Sequence, residues 1–269
     1  MIVSRIFKMK IRVRHIPYIE DLGKIKTVDG YKVKEGLLFR SCNLTKTNSK
    51  DLAKLKNKYH INHVVDLRTS DEIATKPEIT NHELNYHHVP IADNYEYPLV
   101  TKENQFEILE KLMALEGGTY KYVIDYYPRL AFSETSIIGY KAIFKLLLNN
   151  KENEGFLFHC TQGKDRTGMV MLFILSTLGV DKETIIKKYL QYNHYNWPYK
   201  FGISLGLTFG YAPRYAKALS NILSAKREFI ESAFNAIDQK CGSVENYLRE
   251  IIGLTNSDIL ALKDRYLDK

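Results

Sequence analysis

His159-Cys160-Thr161-Gln162-Gly163-Lys164-Asp165-Arg166-Thr167-Gly168 lies between two apolar runs. Ahead of it, Gly155-Phe156-Leu157-Phe158 has the length and composition of a buried strand. Behind it, Met169-Val170-Met171-Leu172-Phe173-Ile174-Leu175 is apolar all round and reads as a core helix that stops near Gly179. A cysteine therefore stands where a strand ends and an arginine where a helix begins. Thr161 to Arg166 must turn between them, which aims backbone N–H groups and the positive end of a helix dipole at one spot. That spot suits an oxyanion.

The residue types in the turn name a chemistry. A thiol ionises readily near positive charge or a helix N-terminus, and the turn offers both to Cys160. A thiolate there can attack phosphorus and split one hard displacement into two easier ones. Arg166 has the planar fork that grips two phosphate oxygens, and Gly163 lets the backbone approach closely. With Thr161, Gln162, Gly163, Lys164, Asp165, Arg166 and Thr167, whose loop N–H groups face the same spot, these residues form the expected phosphate cradle. The leaving oxygen needs a proton. Asp165, inside the loop, and Asp93, beyond the run Tyr86 to Ile91, are the candidate proton donors. Lys164 adds a second positive charge, His159 is placed to bond the strand end and tune Cys160, and the Thr167 hydroxyl can donate to the thiolate. The chemistry needs no metal, and no cofactor is expected.

Around this loop, the chain of 269 residues is long enough for one large α/β domain or a domain with an added subdomain. Three widely spaced cysteines, Cys42, Cys160 and Cys241, suggest neither a disulfide framework nor a zinc site, and a reducing compartment is the default. No apolar run reaches the ~18 residues of a membrane span, and the N-terminus lacks a signal-peptide core. Cytoplasm is the default location, with secretion after loss of a signal segment left open. The net charge of +8 divides into +10 over residues 1–60 and −2 over the remainder. A basic first third favours anionic partners, including transient contact with an anionic membrane surface, or is simply a solvated face. Nucleic acid is not expected, since no binding motif or basic-aromatic platform appears.

Phe7 to Arg14 alternates apolar with basic residues, as a charged edge strand does. Asp29-Gly30 marks a hairpin, and Gly36–Ser41, Ile61–Arg68 and Tyr86–Ile91 read as further strands. Helices are expected over Thr47–Tyr59 with a Ser49 cap, over Gln105–Leu115, over Ser136–Leu148 and after an Asp181 cap. One long helix is expected from Tyr215 to Gly242, then two short ones capped by Ser243 and Thr255, the latter with Asp258 as a capping box. The glycines at 202, 206 and 210 lie among apolar residues, either as a mobile hydrophobic lid over 199–213 or as a packed helix. The expected fold is α/β, a central mixed sheet flanked by helices, with helices accumulating toward the C-terminus.

His159 to Gly168 resembles the phosphate loop of the cysteine-dependent protein tyrosine phosphatases. The Lys164-Asp165 pair resembles the bacterial branch with dual tyrosine/serine and phosphoinositide phosphatase activity. Asp21-Leu22-Gly23, Phe39-Arg40-Ser41, Val65-Asp66-Leu67-Arg68-Thr69, Tyr247-Leu248 and Gly253-Leu254-Thr255 fall where that family has similar motifs, so the resemblance covers about residues 17–267. It implies a tyrosine phosphatase-like fold in one domain over 1–269: a catalytic core over about 17–195, a helical lid near 195–225 and terminal helices over 226–267. It further implies a nucleophilic Cys160, phosphate binding through Arg166 and the loop, Asp165 in acid/base work and Lys164 linked to phosphoinositide acceptance. The partners implied are phosphorylated proteins or phosphoinositides. Typical members of the wider superfamily carry a Trp-Pro-Asp acid loop, whereas the single tryptophan here gives Trp197-Pro198-Tyr199, without a carboxylate.

Two other functions use a similar loop. A phosphate-binding module without turnover has no need of Cys160, Asp165 and Arg166 together, and a sulfurtransferase would not call for Arg166-Thr167-Gly168 at a helix start. Arg40 and Arg68, at strand ends, are expected in structural ion pairs rather than in the pocket.

Overall fold

The structure is a computed structural model, and it describes residues 11–79, 83–92, 105–151, 153–195 and 213–268. Among the described residues the main sheet has five strands: β1 (Ile19–Asp21), β3 (Leu38–Ser41), β4 (Ile61–Asp66), β5 (Asn85–His88) and β6 (Gly155–His159). The spatial order is β1-β3-β6-β4-β5. All but β1 run parallel, and β1 pairs antiparallel at one edge. A separate ladder joins β2 (Lys32–Val33) to β7 (Leu267–Asp268).

The central position of β6 explains its sequence. A strand paired on both edges and covered on both faces has no solvent side, and all five of its residues are buried. Phe156 and Phe158 point into the larger core, with α4 (Gly118–Phe132), α5 (Glu134–Leu148) and α6 (Asp165–Thr177). Leu157 points the other way, into a smaller core with Leu52 and Leu55 of α1 (Ser49–Tyr59). Two covered faces also account for α6, in which every residue from Met169 to Leu175 is buried.

Several expectations differ in detail. Residues 11–14 form no strand; Ile16 N–H donates to Val13 O at 3.2 Å, so the chain turns back and buries both side chains in the smaller core. The Asp29-Gly30 hairpin is present, with Thr27 N–H donating to Tyr31 O, Val33 N–H to Ile25 O and an antiparallel bridge between Lys26 and Lys32, and β2 pairs on its other edge with β7. Asn48 rather than Ser49 caps α1, in a capping box with Asp51. The Asp181, Ser243 and Thr255 caps are as expected: Asp181 opens α7 (Lys182–Leu190), and Thr255 opens the last helix, Asn256–Tyr266. Between Ser243 and Thr255 lie a short turn and a π-helical turn, Tyr247–Ile251.

The long helix from Tyr215 to Gly242 is two helices, α8 (Pro213–Leu223) and α9 (Arg227–Cys241). The break contains neither proline nor glycine. Instead, side chains from elsewhere take its backbone groups: Asn193 accepts from Ala225 N–H at 3.0 Å and donates to Ala225 O at 2.7 Å. Two helices were not read in the sequence at all, the short α2 (Ser70–Thr75) and α4. Pro128 inside α4 removes the N–H that would bond Ile124 O, and the Ser232 hydroxyl lies 2.9 Å from that carbonyl, sharing its one proton with Phe229 O at 2.7 Å. The candidate lid over 199–213, apart from Pro213, lies outside the described residues.

Candidate active site

The loop expected to bind phosphate leaves the C-terminal end of β6 and enters the N-terminal end of α6, and carboxyl ends of parallel strands are where open α/β sheets bind ligands. Cys160 is 3% exposed, and its Sγ accepts the Gly163 N–H at 3.2 Å. Gly163 has φ +71°, and a Cβ there would stand 2.2 Å from Ser41 O. The residue is therefore glycine both for its left-handed backbone and because the loop lies against the end of β3. Asn43, just beyond β3, donates its backbone N–H and its Nδ2 to Thr161 O, at 3.2 and 2.7 Å.

Arg166 is buried, and both its Nη1 and Nη2 donate to the carboxylate of Glu72, the latter at 2.8 Å. Nη1 also lies 3.4 Å from Leu67 O. Thr161 Oγ1 donates to Glu72 Oε1 at 2.5 Å, so a single carboxylate spans the two ends of the loop. Burial would raise the Glu72 carboxyl, but the Arg166 charge and its hydrogen bonds, with Thr161, hold it down at about 2. Burial alone would lower the Arg166 guanidinium, and Glu72 more than reverses that, so its pKa lies well above its ordinary value. Both groups are charged across the working pH range. Glu72 was not among the expected site residues. Its signal was the capping box Thr69-Ser70-Asp71-Glu72, in which Thr69 accepts from Glu72 N–H and Glu72 accepts from Thr69 N–H.

The other loop residues are placed as follows. Gln162 Oε1 accepts from the Tyr192 hydroxyl at 3.0 Å. Lys164 is neither a solvated lysine nor turned outward: it is 1% exposed, and its Nζ donates to Ile222 O and to Ser224 O, the latter at 3.3 Å. Its Nζ also lies 3.3 Å from Asp165 Oδ1. That oxygen accepts the Tyr127 hydroxyl at 2.6 Å. Thr167 Oγ1 is buried and has no hydrogen-bond partner among the described residues, so the expected donation to Cys160 is not made here. Asp93 lies outside the described residues.

Behind the loop is a buried ionic network. His159 has Nδ1 3.8 Å from Asp66 Oδ1 and Nε2 3.4 Å from Glu78 Oε2. Arg68 donates to Asp66 at 2.7 Å and lies 3.1 Å from Glu78, while the Tyr86 hydroxyl donates to Asp66 at 2.6 Å. Burial opposes the Asp66 charge, but His159, Arg68 and Tyr86 outweigh it and hold the carboxyl well below the usual range. Asp66, Glu78 and His159 are grouped closely enough to ligate a metal, but the Arg68 guanidinium already supplies a cation to both carboxylates. Arg40 lies 3.6 Å from Glu20, so each strand-end arginine has the carboxylate partner expected of it. Cys42, at the end of β3, donates its thiol to Tyr18 O at 3.7 Å, and burial pushes that thiol up to about 11.

The chain is similar over most of its length to bacterial phosphatases. It is 27% identical over 248 residues to a protein of Cupriavidus necator named as a tyrosine-protein phosphatase, an alignment covering 92% of this chain and 84% of that one. It is 26% identical over 242 residues to the triple specificity protein phosphatase PtpB of Mycobacterium tuberculosis, covering 81% of this chain and 86% of that one. A tyrosine-protein phosphatase of Nostoc commune matches over a shorter stretch, 29% identical across 132 residues, which is 49% of this chain and 40% of that protein. The model of the tyrosine phosphatase family matches residues 11–268, a span that takes in the sheet, the cysteine loop and Glu72 alike, and the chain belongs to that family.

Proposed function

We propose that this phosphatase hydrolyses phosphate monoesters through a phosphocysteine on Cys160. The observation that supports this reading best is the pairing of Cys160, at the end of the central strand, with Arg166, whose guanidinium Glu72 fixes at the start of α6. A guanidinium has five N–H donors, so a carboxylate on two of them is compatible with an oxyanion on others. In the first step Cys160 Sγ bonds to phosphorus, the ester P–O bond breaks and the leaving oxygen takes a proton. In the second, water attacks phosphorus, the S–P bond breaks and a base takes the water's proton. Asp165 serves as the acid and then the base; it is the carboxylate nearest the loop in sequence, buried and held by Tyr127 and Lys164.

The proposed substrates are phosphotyrosine proteins, with phosphoserine, phosphothreonine and phosphoinositides as further members. The relative from M. tuberculosis, named for triple specificity, supports a broad range. The test is release of phosphate from p-nitrophenyl phosphate and from a panel of phosphopeptides and phosphoinositides. Wild type should turn over with vanadate sensitivity, and Cys160→Ser should bind substrate without turnover. Hydrolysis that survives Cys160→Ser would remove the phosphocysteine.

A further inference from the structure

Asp165 Oδ1 already has one hydrogen-bond donor and one ion-pair partner. The Tyr127 hydroxyl lies 2.6 Å from it and the Lys164 ammonium 3.3 Å. A tyrosine hydroxyl has one proton, and that of Tyr127 is directed at Asp165. The Tyr189 hydroxyl, 2.5 Å from that of Tyr127, must therefore be the donor to it. Burial, followed by the Asp165 charge, raises both hydroxyls well above their ordinary pKa, so each keeps its proton. The chain Tyr189 to Tyr127 to Asp165 runs from α7 through α4 to the first residue of α6.

Apart from the Lys226 backbone N–H, which the Tyr189 hydroxyl also accepts, the surroundings do not otherwise call for hydroxyls. Tyr127 and Tyr189 are wholly buried; their rings stand edge to face at 6.1 Å, and Phe229 lies 6.1 Å from Tyr127. Phenylalanine would fill such apolar space without hydroxyls to satisfy. The sequence of α6 also makes room for the second ring. Gly168 is one turn beyond Asp165, and a Cβ there would stand 3.1 and 3.3 Å from two carbons of the Tyr189 ring. Tyr189 reaches Tyr127 because position 168 has no side chain.

We propose that Tyr127, backed by Tyr189, is a positioning residue that occupies Asp165 Oδ1 and so assigns proton transfer to Oδ2. This rests on the reading of Asp165 as acid and base. In the first step the Oδ2 proton passes to the leaving oxygen as the P–O bond breaks, and in the second Oδ2 takes a proton from the attacking water. Without the Tyr127 hydroxyl only the longer Lys164 contact holds Oδ1, the carboxyl group rotates more readily, and either oxygen can carry the proton.

The test compares wild type, Tyr127→Phe, Tyr189→Phe, Asp165→Asn and the Tyr127→Phe/Asp165→Asn double variant on two esters. Phenyl phosphate has a poor leaving group that needs the proton; p-nitrophenyl phosphate needs it less. Tyr127→Phe should lower kcat/KM, which reports the first step alone, by about tenfold for phenyl phosphate and about threefold or less for the nitrophenyl ester. On the Asp165→Asn background the same substitution should add nothing. An equal loss of kcat/KM on both esters, or a loss that multiplies with that of Asp165→Asn, would overturn the proposal and leave Tyr127 a packing residue. Thermal melts verify folding, and Tyr189→Phe gives the same comparison, with a smaller expected effect, if Tyr127→Phe does not fold. An Asp165→Asn variant at wild-type kcat sinks the acid/base reading itself, and a wild type inert to both esters sinks the phosphatase reading beneath it.

Discussion

Glu72 meets two terminal nitrogens of Arg166, the hydroxyl of Thr161 and the backbone of Thr69 with one carboxylate. Its folded pKa of about 2 lies below its ordinary value of 4.5. A depressed carboxyl contributes stability that is fully present above the unfolded value and is lost as pH falls through the folded one. Urea titrations from pH 5 to 2 should therefore show the wild type losing about 3 kcal/mol that is attributable to this group, a loss Glu72→Gln should not show. At pH 7 that variant should be less stable by a similar amount, because it leaves Arg166 buried without its countercharge. An unchanged acid limb in Glu72→Gln would assign the pH dependence to Asp66 and its neighbours instead. At this scale the sequence was legible where a local turn decides the geometry, as at Cys160, Gly163 and Arg166. The tyrosines around Asp165 were not, because Tyr127 and Tyr189 lie 38 and 24 positions from it and carry no local signal.

At the scale of elements, Lys164 links the loop to the junction of α8 and α9. Its ammonium meets Ile222 O and Ser224 O there, with Asp165 Oδ1 as third partner. Helix C-terminal carbonyls accept a lysine favourably. The Lys164→Ala substitution should thus cost roughly 2–4 kcal/mol in chemical denaturation and lower turnover on aryl phosphates and phosphoinositides by the same factor. A loss confined to the lipids would show instead that the ammonium turns toward the substrate. The α8–α9 junction also shows why periodicity ran on through residue 223. Tyr215, Leu219 and Ile222 continue into Phe229, Ala233 and Ile237 at helical spacing, and Asn193 and Lys164, which divide them, are distant in sequence. α4 was missed for the opposite reason: Pro128 reads as a breaker, and the repair by Ser232 lies 104 positions away.

Across the whole molecule, the α/β class was legible from alternating strand and helix patterns, but the strand neighbours were not. An apolar run such as Phe156-Leu157-Phe158 shows that it is covered on both faces and says nothing of which strands flank it. In the folded chain β6 lies between β3 and β4, which precede it by about ninety residues or more and do not touch each other in the sheet. A chain ending at residue 150 holds two separate strand pairs and should unfold in urea without a cooperative transition, while the full chain unfolds cooperatively. A sharp transition in the shorter chain would mean that the pairs find another way to close. Since β6 is the keystone and the cysteine loop follows it directly, an emerging polypeptide has already made the last strand of this sheet when the loop is added. A partly synthesised chain that carries the Cys160 thiol therefore already holds every strand that anchors it.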